Sequence, residues 1–342
     1  MIREIVAHGS PVHLDEFVGL ILLRRYGEDK LPGISTASFR TLTANDNIGE
    51  LERKDDTVLL GCGTGPFDEH VFNGDKSKKD ECCATLVARF LDINEDPRWN
   101  KILKYTLHTD KHPPTLVLDL ASSVIRFQKQ GLELNAVIDY IEMTVQAVYA
   151  EQEKFFAANT EEIRREELVL GGDLHWMAVL ENDNEALVKQ ARFLGAAVVV
   201  VKNSSGHVVV LTTNDFRLDM RDTIRTLRFL EQMKKGKVLV SDWEKLEQEG
   251  AIEEVPEWFF HKEAGNVLNG SRSRQDIPAT GLTLSIIVEA VKTGLEGRFE
   301  PRKQSTCLQG RCAATRNNPC SWYQLGLMRC RTIRSRQRRG GK

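Results

Sequence analysis

The 342-residue sequence lacks several features that would place it in a special class of protein. Its N-terminus, MIREIVAHGS, has neither the basic start nor the long apolar run of a secretory signal, and no apolar run reaches membrane-spanning length. No repeat of solenoid type recurs along it. A composition of 41% hydrophobic and 28% charged residues excludes a wholly disordered or fibrous chain. We therefore expect a cytoplasmic globular protein that does not enter a membrane.

Acidic residues are absent after Glu300, whereas 11 of the 47 Lys and Arg residues follow it. The first 301 residues thus carry 36 basic against 49 acidic residues, a formal charge of −13, and the tail carries +11. Such a tail could bind nucleic acid or lie across the acidic body. Length and composition predict two domains, over 1–150 and 151–301, and a basic tail over 302–342.

Cysteine is sparse, with seven residues, and four of them crowd into the tail with the spacing C-x4-C-x7-C-x9-C. In a reducing compartment such a cluster indicates metal binding or reactive thiols before disulfides. Four thiolates can hold one tetrahedral zinc ion, although the paired C-x2-C of a strong zinc motif is missing. The alternative is a disordered or locally folded basic extension. The predicted zinc ligands are Cys307, Cys312, Cys320 and Cys330.

Hydrophobic patterning predicts an α/β protein with two lobes. IREIVAH and TVLLGCGTG are typical of strands that run into polar or glycine-rich turns, and FVGLILLRRYG has the spacing of a helix with a buried face. A long helix is expected over 134–168, followed by the strands LHWMAVL, AAVVVVKN and HVVVLTT. We expect a mainly parallel sheet in the N-terminal lobe and a smaller α/β lobe after it.

The first chemically distinctive cluster follows the first predicted strand, where His8, His13, Asp15 and Glu16 occur within nine residues. Ligands of open α/β sheets bind at strand ends. Imidazole and carboxylate together suit manganese, iron or zinc, whereas oxygen ligands alone favour magnesium. The alternative interpretation is that the two acidic residues simply begin the next helix, where they suit its dipole.

Two further clusters follow. GCGTGPFDEH places Asp68, Glu69 and His70 after a glycine-rich turn, where backbone can approach an ion or phosphate closely. Asp110 lies at the end of a third segment and could complete a two-metal centre. Polar surface turns are the alternative for both.

The ordered set H-x4-H-x-D-E, then strand-G-x-G-x-G-x-F-D-E-H, then a later Asp resembles the DHH phosphoesterase superfamily, in particular its Myg-type exonuclease branch. The resemblance implies a two-lobed DHH-like fold with a metal-binding catalytic domain over 1–150, whose metal ligands are His8, His13, Asp15, Asp68 and Asp110. It also implies a linker helix and a substrate-closing α/β domain over 151–301. It further implies that His70 and Glu69 occupy catalytic positions, and that His261, Asn269 and Gly270 in WFFHKEAGNVLNG lie near the substrate phosphate.

Two positions depart from the family pattern: Glu69 stands for the middle His of DHH, and Gly61 stands for a bridging Asp. The site could therefore hold one metal, use Glu69 as the bridge, or have lost catalysis. Arg221 and Arg225, with Arg228 on the same helical stripe, could face substrate phosphate or form a solvated, paired face.

The predicted function is Mn²⁺-dependent hydrolysis, with Mg²⁺, Zn²⁺ or Fe²⁺ as alternatives, of a phosphodiester or phosphoanhydride bond. The resemblance and the basic tail favour a nucleotide or short single-stranded nucleic acid as substrate. The alternative is a catalytically weakened nucleotide sensor or nucleic-acid-binding protein that uses the same pocket and the tail.

Overall fold

The computed structural model describes the chain except residues 71–77, 113–115, 214, 215, 217, 271–273, 275, 299, 341 and 342. It divides into two compact units, residues 1–157 and 158–342. The division falls at the end of a long helix, a few residues beyond the expected boundary at 150. Residues 302–342 belong to the second unit.

A three-stranded parallel sheet forms the centre of the first unit, as predicted from the sequence. Its strands, in the spatial order β2-β1-β3, are β1 (Glu4–Ala7), β2 (Ser38–Thr41) and β3 (Thr57–Leu60). The helices are α1 (Leu14–Tyr26), α2 (Ile48–Leu51), α3 (Cys83–Phe90), α4 (Asn100–Lys111), α5 (Leu120–Lys129) and α6 (Leu134–Ala157). The apolar segments EIVA and TVLL pair in register, with Ala7 opposite Leu60. The last residues of β1 and β3 are therefore neighbours.

Helix α1 is the central helix of this unit. Its residues from Leu14 to Leu23 are all buried, because α1 packs on α3, α4 and α6 as well as on the sheet. Apolar residues on every side of a helix are typical of such an enclosed position. The helix ends at Gly27, whose N–H donates to the carbonyl oxygen of Leu23 at 2.7 Å. Its buried first turn carries Asp15 and Glu16 into the interior.

The second unit contains a seven-stranded mixed sheet in the order β4-β5-β6-β7-β10-β9-β8. Its strands are β4 (Arg164–Leu170), β5 (Asp173–Glu181), β6 (Val198–Lys202), β7 (Val208–Thr212), β8 (Gly250–Ile252), β9 (Val255–His261) and β10 (Asn266–Asn269). The helices before the tail are α7 (Glu185–Phe193), α8 (Arg221–Lys234), α9 (Trp243–Leu246) and α10 (Leu284–Leu295). This unit holds the larger of the two sheets, and the tail belongs to it as well.

The prediction of one helix over 134–168 is wrong for its last part, where the structure has a strand. Helix α6 ends at Ala157, and residues 164–170 form β4, which pairs along its whole length with β5 across a turn at Gly171 and Gly172. Both glycines have positive φ values, 62° and 105°, which suit a tight hairpin turn. Strand pairing therefore overrides the helix propensity of RREEL.

The tail folds as three short helices, α11 (Gln304–Leu308), α12 (Ser321–Gln324) and α13 (Met328–Gly340). It packs on α8, where Arg225 donates to the carbonyl oxygen of Gly326 at 2.6 Å and the Met328 N–H donates to Asp222 at 2.9 Å. The side chain of Leu327 is fully buried in this contact. Within the described residues, no helix has the length and apolar character needed to cross a membrane.

Candidate metal centre

The candidate site lies where β1 and β3 end side by side in the first unit. The chain leaves β1 at His8 and leaves β3 at Gly61, and the parallel pairing of Ala7 with Leu60 places these two exits next to each other. His13 follows after the turn, and its ring centroid lies 4.9 Å from that of His8. Both imidazoles thus reach the strand ends from one short connection.

Glu16 is the residue that joins this connection to β3. Its buried carboxylate accepts a hydrogen bond from the His13 N–H at 2.6 Å and pairs with Nδ1 of His8. Gly61 has a φ of 60°, and a Cβ built on it would lie 2.6 Å from Oε1 of Glu16 and 2.9 Å from its Cγ. Glu16 therefore fills the space that a side chain at position 61 would need.

The glycine-rich turn brings a second set of ligands back to the same strand end. The Gly61 N–H donates to the carbonyl oxygen of Phe67 at 3.1 Å, which closes the loop and places residues 68–70 beside the exit of β3. Asp68 is buried, and its Oδ1 lies 2.7 Å from Nδ1 of His70. Glu69 is also buried, with Oε1 3.7 Å from the same His70 nitrogen. The loop therefore presents two carboxylates and an imidazole together.

Three overlapping groups of side chains could hold a metal ion, because the ligand atoms within each group lie within 4.8 Å of one another. Asp15 enters from α1, where its Oδ2 accepts the Cys83 N–H at 3.1 Å, and Asp110 enters from the end of α4. Glu69 belongs to two of the groups. The groups are His8 with His13 and Glu16, Asp68 with Glu69 and His70, and Asp15 with Glu69 and Asp110.

Burial gives these groups unusual proton affinities. It raises the pKa of Asp15 and of Glu16 well above ordinary carboxyl values, with repulsion from neighbouring carboxylates adding to the effect. It also raises the pKa of Glu69 and lowers the pKa values of His8 and His13. A bound cation would offset the free-energy cost of burying the charged carboxylates, which are normally paired or bound to metal when buried.

The donor atoms fit a divalent cation. Within the described chain, Asp68 Oδ2 and Glu69 Oε2 are buried without a hydrogen-bond partner, and the buried carboxylates of Asp15, Glu16, Asp68 and Glu69 form no ion pair with Lys or Arg. Unsatisfied buried carboxylate oxygens are costly unless a ligand completes their coordination. Three imidazoles among five carboxylates match the preferences of manganese, iron and zinc.

A cavity of about 700 Å³ opens over these groups. Its lining includes His8, His13, Glu69, His70 and Asp110, so the structure brings together residues from all three predicted clusters. Asp68 is buried and does not line the cavity, but its carboxylate contacts His70, which does. This volume is in the range of small-molecule sites.

The lining of this cavity also contains basic side chains. Arg126 and Lys129, both exposed and three residues apart on α5, line it together with Ser122 and Thr109. Sequence reasoning missed these four residues. The i, i+3 spacing of Arg126 and Lys129 could have indicated a shared helix face, but only the fold directs that face toward the acidic clusters. The cavity therefore combines metal-ligand chemistry with cations suited to an anion.

The remaining predicted site residues belong to the second unit. Asn269 is fully buried, bonding the carbonyl oxygens of Glu257 and Pro278 and the N–H of Thr280 at 2.9–3.0 Å. Gly270 packs against His207 with a φ of 68°, and His261 is exposed at the end of β9.

The predicted arginine stripe is also occupied. Arg221 pairs with Asp219 at 2.6 Å, and Arg225 is fully buried with Asp222, Glu247 and the tail as partners. Internal contacts thus account for Asn269 and for both arginines without a substrate.

Compared with known proteins, the chain matches no family model, and no curated protein matches it. The resemblance of its motifs to the DHH superfamily therefore stays a prediction.

Proposed function

We propose that the first unit is a divalent-metal-dependent phosphoesterase that hydrolyses a phosphodiester or phosphoanhydride bond. The observation that carries the proposal is one cavity whose lining holds members of the His and carboxylate clusters together with Arg126 and Lys129. A metal site alone would suit many reactions. Cations that line the same cavity favour an anionic substrate such as a phosphoester.

Gly61, which stands where the family pattern has a bridging Asp, is the main argument against catalytic activity. The position of Glu16 removes this argument. Its carboxylate occupies the space of the absent side chain, close to His8 and His13. We infer that Glu16 serves as a metal ligand there, and that Glu69, which belongs to two ligand groups, is the carboxylate best placed to bridge two ions. Two-metal hydrolytic sites commonly place their ions about 3.5–4 Å apart.

Each part of the cavity has a defined task in this proposal. Bound divalent ions would supply Lewis acidity toward the phosphoryl group and lower the pKa of water. Arg126 and Lys129 orient the phosphate by charge. His70 is held by Asp68, and although burial opposes its charged form, that hydrogen bond and the nearby carboxylates raise its pKa. It can therefore donate a proton to a leaving oxygen.

The substrate proposed is a nucleotide or a short single-stranded nucleic acid. The cavity volume suits one or two nucleotide units rather than a duplex. Manganese is the proposed cofactor because both imidazole and carboxylate are present, with zinc, iron and magnesium as alternatives.

The test uses the full chain, stripped of metal and then loaded with Mn²⁺, Zn²⁺ or Mg²⁺. Candidate substrates are single-stranded RNA and DNA oligonucleotides, cyclic dinucleotides and pyrophosphate. We expect Glu69→Gln and Glu16→Gln to lower turnover at least about 100-fold, since even outer-shell changes cost about 10–100-fold. The matched control is Glu153→Gln on the exposed face of α6, which should retain full turnover.

Two outcomes would contradict the proposal in different ways. Metal binding without hydrolysis of any of these substrates would favour the alternative of a nucleotide-sensing protein. Failure to bind any of the metals would exclude both functions of this site.

A further inference from the structure

Four cysteines of the tail converge in the second unit. Cys307 lies in α11, Cys312 lies in the loop after it, Cys320 precedes α12, and Cys330 lies in α13. All four line one small cavity, although Cys307 and Cys330 are 23 positions apart in the sequence. We name them the tail cysteines. All are free thiols, and Cys320 is buried.

The tail has little else to hold its fold together. The buried apolar residues among its described positions are Ala314, Cys320 and Leu327, and two of its helices span only five and four residues. A segment with so small a core usually needs a disulfide or a structural metal. The four converging cysteines could supply a disulfide or a metal site of this kind.

The charge of the surroundings suits thiolates. No acidic residue follows Glu300, while 11 Lys and Arg residues do. A centre with four thiolate ligands carries a net charge of about −2 whether it holds a zinc ion or a four-iron cluster. The thiolates would be the main anions of the tail, and the same cavity is lined by Arg329 and Lys303 as well as by one carboxylate, that of Glu300.

We propose that the tail cysteines ligate one metal centre, a zinc ion or an iron–sulfur cluster, which fixes the fold of the tail. Metal binding displaces the four thiol protons. No three of the sulfur atoms in the described chain lie within 4.8 Å of one another, whereas a tetrahedral zinc site needs about 3.8 Å. Zinc would therefore draw the sulfurs inward, and an iron–sulfur cluster would accept a wider arrangement.

The test begins with the full chain purified without oxygen and analysed for zinc, iron and acid-labile sulfide. One zinc per chain identifies the ion, and iron with sulfide and visible absorption identifies the cluster. Replacement of zinc by Co²⁺ should give thiolate-to-cobalt charge-transfer absorption, which the His and carboxylate site of the first unit cannot give. This readout is therefore independent of the proposed phosphoesterase.

Variants assign the ligands. Cys312→Ser and Cys320→Ala should each abolish the charge-transfer or cluster absorption and speed tryptic cleavage of the tail at least tenfold. Cys312 is partly exposed, so that its variant is expected to fold. Cys62→Ala, a cysteine of the first unit, is the matched control and should retain the absorption.

Absence of thiolate-bound metal after anaerobic purification and reloading would overturn the proposal. Disulfide pairing among the tail cysteines in the freshly isolated protein would overturn it as well.

Discussion

Gly61→Ala tests whether Glu16 is a metal ligand. The added Cβ would lie 2.6 Å from Oε1 of Glu16, and ordinary contact begins at 3.4 Å. The carboxylate would therefore have to retreat by about 0.8 Å, the difference between these two distances. A metal site tolerates ligand displacements of only about 0.2 Å.

Glu16 cannot yield easily. Its carboxylate is buried, accepts the His13 N–H at 2.6 Å and pairs with His8, so that a shift breaks contacts on both sides. We expect the Mn²⁺ affinity of Gly61→Ala to fall by about 10–100-fold, which corresponds to about 1.4–2.8 kcal/mol. Isothermal titration calorimetry on the metal-stripped chain measures this loss directly.

Gly131→Ala is the matched control for backbone strain. Gly131 also has a positive φ, 81°, in the same unit, but a Cβ there would meet nothing within 4 Å. Both variants bear the cost of a left-handed alanine, about 1–2 kcal/mol, while only Gly61→Ala disturbs the site. Wild-type Mn²⁺ affinity in a folded Gly61→Ala variant would refute the assignment of Glu16.

Three other predictions concern the pH response, the substrate cations and the second unit. Because the folded-state pKa values of Asp15 and Glu16 are raised, the metal-free chain should lose stability as pH rises above the ordinary carboxyl pKa values of about 4, and Mn²⁺ should remove this loss. Urea unfolding with and without EDTA checks this. Arg126→Ala or Lys129→Ala should raise KM roughly tenfold with unchanged Mn²⁺ affinity, as steady-state kinetics and calorimetry would reveal. Asn269→Ala should destabilise the chain by roughly 2–4 kcal/mol in denaturant titrations, through three lost hydrogen bonds. Unchanged stability with lost hydrolysis would instead support the predicted substrate role.

The strand ends of the first unit were predictable because the relevant information is local. Short apolar runs that stop at polar residues predict strands, and parallel pairing then brings their exits together. His8 and His13 after β1, and Asp68, Glu69 and His70 after β3, are adjacent for this reason.

Helical spacing was misleading at the arginines of α8. Arg225 and Arg228 recur as a surface stripe would, yet both are fully buried. Arg228 donates to backbone carbonyl oxygens of Leu246, Gln248, Gly250 and Trp258, between 18 and 30 residues away. The helical spacing of the arginines carries no information about hydrogen-bond partners this far away in the sequence. Here the guanidinium groups donate to backbone carbonyl oxygens of the sheet, of the segment before β8 and of the tail.

The relation between Gly61 and Glu16 could not be predicted either, since it depends on a contact across 45 positions of the sequence. Acidic residues in the first turn of a helix are common, so that Glu16 looked like an ordinary helix start. Helix stability alone does not explain a glutamate at position 16. Its carboxylate is buried, burial raises its pKa, and Gln could cap the helix without a charge. A bound cation would offset this cost, since it favours the charged form of the carboxylate. In the proposed metal site, the glycine at 61 and the glutamate at 16 would therefore be two halves of one ligand position.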